Sequence, residues 1–169
     1  MARFLHTLAT ALLSAGLGVQ VFLSFQVAPS AFRLLDRPQA VRLMEGLFPG
    51  YYLFGIVTAT AAVGLILCLA LAVPRAPLQW GALVLVTVVL AGTLYAGEVL
   101  LPEAHAARLR AQAAPAGDLA PLEFSRLHRR AVAVNIALFG VGLLALGLHA
   151  AARPPVVTRE PVADPRRDA

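Results

Sequence analysis

Lysine is absent from this chain of 169 residues, and cysteine occurs once, at Cys68. A lone cysteine excludes an intramolecular disulfide and any Cys-based metal cluster. Between Leu67 and Leu69 it reads as a small hydrophobe. All 14 basic residues are therefore arginine. Arginine suits phosphate better than lysine does, but a bias in the coding genome explains a total lack of lysine more economically. Charge of either sign is scarce: 14% of residues, against about 25% in soluble domains. The net charge of +5 does not point to nucleic acid, because the arginines are spread over every segment between the apolar runs. The sequence also lacks a Gly-rich phosphate loop, a nucleophile elbow and a His-Glu-x-x-His motif. No histidine pair has helical spacing for a metal. The chain is read as non-enzymatic, with no metal and no cofactor.

What is abundant is apolar surface, at 59% of residues. Four windows contain no Asp, Glu, Lys or Arg: Thr7 to Phe32, Gly46 to Pro74, Ala76 to Gly97 and Ala131 to Ala152, of 26, 29, 22 and 22 residues. About 20 apolar residues suffice to cross a bilayer as a helix. The composition predicts an all-α integral membrane protein with four transmembrane helices in an up-down bundle. At this length it forms one domain, residues 1–152, followed by a tail.

Helix bounds follow from the punctuation. The first helix is expected over 6–28, ended by Pro29 and uncleaved, since its apolar run far exceeds the roughly 7–15 residues of a signal h-region. The charged stretch from Arg33 to Glu45 is expected at the interface. The second helix is expected over 48–73, with Pro49 in its first turn and Phe48, Tyr51 and Tyr52 as an aromatic belt. Arg75 then turns the chain tightly into the third, 77–113, kinked near Pro102. The fourth, 119–152, is capped by Asp118 or a neighbour. The third and fourth helices thus extend beyond the bilayer as a hairpin. The tail, 153–169, has four prolines and alternating charge and is expected to be disordered. Six arginines flank the windows on the side of the termini and eight on the other, too even a balance for the positive-inside rule. Cytoplasmic termini in a bacterial inner membrane are taken as the expectation.

Small residues four apart, Ser14 with Gly18, Thr60 with Gly64 and Gly92 with Ala96, suit close helix approach in lipid. Polar groups at membrane depth demand a reason. Arg126, His128 and Asn135 begin the fourth window, and the spacing of seven puts His128 and Asn135 on one helix face. Gln20, Gln26 and Glu98 are possible partners. One reading is a site for haem, a metal or a small solute. The other is interhelical hydrogen bonding, preferred because one histidine and one amide make an incomplete metal site. His6 and His149 are expected among headgroups and His105 in solvent.

Gln20-Val21, Phe25, Phe32-Arg33 and Leu47-Phe48-Pro49-Gly50-Tyr51 resemble the first half of the family typified by transmembrane protein 205. Phe124-x-Arg126-x-His128 with Asn135 resembles that family's entry to its last helix, and Leu101-Pro102 is a further match. The resemblance implies a four-helix membrane protein with a long third connection, whose bacterial members carry a domain-of-unknown-function label. It associates the animal protein with platinum-drug resistance. That association does not carry over to a chain without a Cys- or Met-rich path for a soft metal.

The functional expectation is an accessory or small-solute-handling bundle in the lipid bilayer. Its candidate face comprises Arg126, His128, Asn135 and Gln20, with motif residues Phe48, Pro49, Tyr51 and Phe124. The alternatives are a haem- or metal-binding redox component using His128, and a small transporter or channel formed as a homo-oligomer.

Overall fold

The computed structural model describes residues 1–72, 77–115 and 117–152. The tight turn at Arg75 and the tail lie outside the described residues. Within them the chain forms four long helices: α1 (Ala2–Leu34), α2 (Arg37–Ala72), α3 (Pro77–Ala113) and α4 (Ala120–Ala151). All four are long and apolar enough to cross a membrane. A backbone in hydrocarbon must satisfy its own polar groups, and a helix does so within each charge-free window. Consecutive helices pack side by side, and α4 returns to α1, which closes the all-α bundle.

Two aspartates set helix starts. Asp36 Oδ1 accepts the Gln39 N–H at 2.8 Å, and Asp118 Oδ1 accepts the Ala120 N–H at 2.7 Å. The first cap shifts α2 well ahead of its expected beginning. Arg33 to Glu45 is largely helical, the end of α1 and the first turns of α2. Pro49 lies inside α2 rather than in its first turn.

Pro29 does not end α1. The helix widens to a π turn over Phe22–Val27, and Pro29 follows in the first turn of the resumed α segment. Pro102 stands in the same relation to a π turn over Ala96–Leu100. A proline deletes one hydrogen bond and crowds the carbonyl four residues back; a wider turn just before it relieves both. The α1–α2 pair thus projects beyond its charge-free windows, as the α3–α4 pair does.

The core is divided. Ala9, Ala62, Ile66, Ala82, Val86 and Ala145, drawn from all four helices, are fully buried together in the half nearest the termini. In the opposite half, Ala31, Ala40 and Met44 form a second cluster with Leu23, Val27, Ala28 and Phe48, from α1 and α2 alone. There Phe22–Leu34 rests on α2 and parts from α4. Of the small-residue pairs, Gly92 and Ala96 do mediate contact: a Cβ on Gly92 would collide with Leu138, and Ala96 is buried. Gly18 and Gly64 face open space instead.

Candidate functional site

Asn135, on α4, is the hub of the polar residues inside the bundle. Its Oδ1 accepts from the Tyr51 hydroxyl at 3.2 Å, and its Nδ2 donates to the Tyr52 hydroxyl at 3.1 Å and to the Ala131 carbonyl at 2.9 Å. Gln20 Nε2, from α1, donates to the Asn135 backbone carbonyl at 2.8 Å. Three helices are thereby joined at one level. Tyr51 and Tyr52 are consecutive on α2, with rings edge to face at 4.9 Å, so both hydroxyls can turn toward the same amide. Their hydroxyls reach inward, where an aromatic belt would turn them to the headgroups. Gly97 makes room for this cluster, since a Cβ there would stand 3.0 Å from the Tyr52 side chain.

Against this hub lies a partly open crevice of about 60 Å³, with Gln20, Tyr51, Thr58 and Thr93 among its walls. The hydroxyls are directed by their own backbone: Thr58 donates to the Phe54 carbonyl at 2.8 Å and Thr93 to the Val89 carbonyl at 2.7 Å. With those protons engaged, the hydroxyl oxygens offer acceptor lone pairs. Gly16, Gly55 and Gly142 complete the walls, and any Cβ on Gly142 would meet Leu17 at 2.9 Å.

The expected face is therefore split. Gln20, Tyr51 and Asn135 come together. Glu98 is exposed and takes no part among the described bonds. Arg126 is exposed beside Arg110 and Glu123 in a surface groove between the projecting ends of α3 and α4. His128 is exposed, its ring 6.0 Å from that of Phe124. It shares a face with Asn135, as its spacing predicts, but at its level α1 has left α4 and no helix covers it. Phe48 packs in the α1–α2 cluster, while Pro49 is exposed on α2.

A second polar cluster escaped the sequence reading. His6 and His149 are not among headgroups; they stack with ring centroids 4.2 Å apart, and both are buried. Each donates from Nε2 to the other's carbonyl, at 2.9 Å from His6 and 3.2 Å from His149. A carbonyl only accepts, so the proton is on Nε2 in both rings. Gln79, on α3, places Oε1 3.1 Å from His149 Nδ1 and donates from Nε2 to the Ala152 carbonyl at 3.0 Å. The two histidines are 143 positions apart, and only closure of α4 on α1 makes them neighbours. Glu45 forms a third cluster, joining α2 to α3 through His105 Nδ1 at 2.9 Å and through Arg108. His105 is thus paired as well as half exposed.

A family model described as a domain of unknown function, DUF4149, matches residues 11–113. The chain belongs to this family. The matched segment carries Gln20, Tyr51, Thr58 and Thr93 of the crevice; Asn135 and His149, on α4, lie beyond it. The chain is also similar to an uncharacterized protein of Aquifex aeolicus (strain VF5), 50% identical over 50 residues, which are 30% of this chain and 38% of that protein. It thus spans well under half of that relative's length. No solved structure matches. This DUF4149 chain is an integral, multi-pass membrane protein by its four apolar helices.

Proposed function

We propose that the protein is a non-enzymatic bundle that takes a small, uncharged, hydrogen-bond-donating solute into the crevice beside Asn135. The observation that carries this reading is the crevice among the apolar helices with acceptor oxygens from Tyr51, Thr58 and Thr93 on its walls. Its volume suits a molecule of a few heavy atoms or a few waters. None of its lining side chains is charged, so an ion would enter at a high desolvation cost.

The partners of this reading are the bilayer and, where the pathway needs more than one bundle, further copies of the chain. A bacterial inner membrane with cytoplasmic termini is the setting we assign it. The likeness to the transmembrane protein 205 family, carried by Phe48-Pro49, Tyr51 and Phe124-x-Arg126-x-His128, is part of the proposal. The haem or metal alternative rests on His128, which is exposed beside the Phe124 ring.

Osmotic light scattering of proteoliposomes challenged with urea, acetamide or glycerol tests the proposal. Uptake faster than in empty liposomes, and slowed several-fold by Tyr51→Phe or Thr58→Val, is the expected result. Uptake equal to that of empty liposomes would remove the solute-handling reading.

A further inference from the structure

We propose that the open seam between α1 and α4 is a phospholipid site. One acyl chain occupies the seam, and Ser125, His128 and Arg129 hold the headgroup phosphate at its mouth. This site is separate from the crevice and does not depend on the role given to it.

The seam is a groove of about 700 Å³, walled on α1 by Gly18, Phe22, Phe25 and Gln26 and on α4 by Phe139 and Leu143, among others. Its surface is overwhelmingly apolar and it faces outward. Phe22 and Phe25 are 60% and 73% exposed. A groove of this kind at bilayer depth is covered by hydrocarbon rather than by water. Its α1 wall runs from Ser14 to Gln26. Those 12 steps span about 18 Å at about 1.5 Å per residue. One leaflet contributes about 15 Å of hydrocarbon. The groove therefore has the reach of a single acyl chain lying along one leaflet.

The mouth can be placed by register. The bond from Gln20 to the Asn135 carbonyl sets those residues at one level. Gln26 and Arg129 each lie six positions outward from it, about 9 Å along their helices. Leu146, at the inner end of the groove, follows His128 by 18 positions, about five turns, so His128 sits on the groove face of α4. Arg129 donates from Nη1 to Ser125 Oγ at 2.7 Å, one turn back, which draws its guanidinium toward the same face. Among the described residues no carboxylate is within ion-pair distance of Arg129. An exposed cation, a hydroxyl and an imidazole thus stand where the phosphate of a lipid in the groove would lie. Arginine's planar fork suits phosphate, and its charge gains from the headgroup region. The same exposure of His128 that removes it from the Asn135 hub gives it this position.

Native mass spectrometry of the full chain in detergent, titrated with phosphatidylglycerol, tests the assignment. The expected result is one lipid retained per chain at low lipid-to-protein ratio. Gly18→Leu fills the groove, and the open space at Gly18 leaves the packed core undisturbed. It should weaken retention at least tenfold with an unchanged melting temperature. Arg129→Gln and His128→Gln should each weaken it several-fold, with Arg129→Lys milder. Should Gly18→Leu perturb folding, Ser14→Leu fills the inner end and must give the same loss. Retention unaffected by both groove-filling variants overturns the proposal. So does a two-chain species without lipid that Gly18→Leu disrupts, since the seam would then be an interface between copies.

Discussion

The half of the bundle nearest the termini and the opposite half are built from similar helices but held by different means. The terminal half has one core shared by four helices, and its polar groups are inside: His6, Gln79 and His149 are each less than a tenth exposed. In the opposite half α1 leaves α4, the buried cluster shrinks to two helices, and the ion pairs are at least partly in solvent. Polar contacts gain weight from burial. In the terminal half each lost bond strands a desolvated partner, while in the opposite half water or headgroups replace it. The closed half thus locks the bundle, while α1 and α4 leave an open seam between them.

That contrast is best broken at His149. Replacing His149 with Leu strands the His6 carbonyl and removes the ring stack. The cost should be about 3 kcal/mol, combining a buried unsatisfied group with imperfect packing. It is measured as a fall in detergent melting temperature; a loss no larger than that of a surface variant would show that the pair does not lock the termini.

Asn135 stands between the two halves and should have an intermediate effect. Asn135→Leu removes three side-chain hydrogen bonds. At about 0.6 kcal/mol per membrane hydrogen bond, destabilisation of about 2 kcal/mol follows. Chemical denaturation in mixed micelles reads it, and Tyr51→Phe alone should cost only a fraction of that amount.

Two glycines sharpen the comparison of packed and open surface. A Cβ on Gly142 meets Leu17 at 2.9 Å, whereas one on Gly18 meets nothing within 4 Å. Gly142→Ala should cost about 1 kcal/mol through local overpacking. Gly18→Ala should be neutral or slightly stabilising, because alanine favours the helix. Equal melting temperatures for the two variants would mean that α4 is no more tightly packed on α1 at Gly142 than α1 is at Gly18.

The smallest effect belongs to the projecting ends of α3 and α4. Arg110 Nη2 and Glu123 Oε1 are 2.8 Å apart, with both side chains about half exposed. Exposed pairs contribute about 0–1 kcal/mol. Arg110→Ala should shift stability by less than about 0.5 kcal/mol and less still in high salt, when followed by denaturation at two ionic strengths.

Several of these features were legible in the residues. Charge-free windows specified four spanning helices, and Asp118 marked the start of α4. Gln20 and Asn135 stood out as polar groups at depth, and they do meet. Pro29 and the start of α2 misled, because proline and charge normally interrupt a membrane helix. The π turn that accommodates Pro29 has no motif of its own, and the Asp36 cap competes with many equivalent aspartates in any chain.

By itself, the sequence determined the solvent and the class of fold. A run of about 20 uncharged residues has the length of a spanning helix, twice that of a spanning strand, and a helix satisfies its own backbone in lipid. Tertiary structure alone decided which polar residues became partners. His6 with His149, Glu45 with Arg108, and Tyr51 and Tyr52 with Asn135 are joined across long separations by helix rotation and the order of closure. The same rotation, where α1 turns away from α4, left His128 and Arg129 uncovered. Helix formation is a local requirement that a window of residues states in full. A side chain's neighbour depends on the summed packing of every helix, and no short window contains that sum.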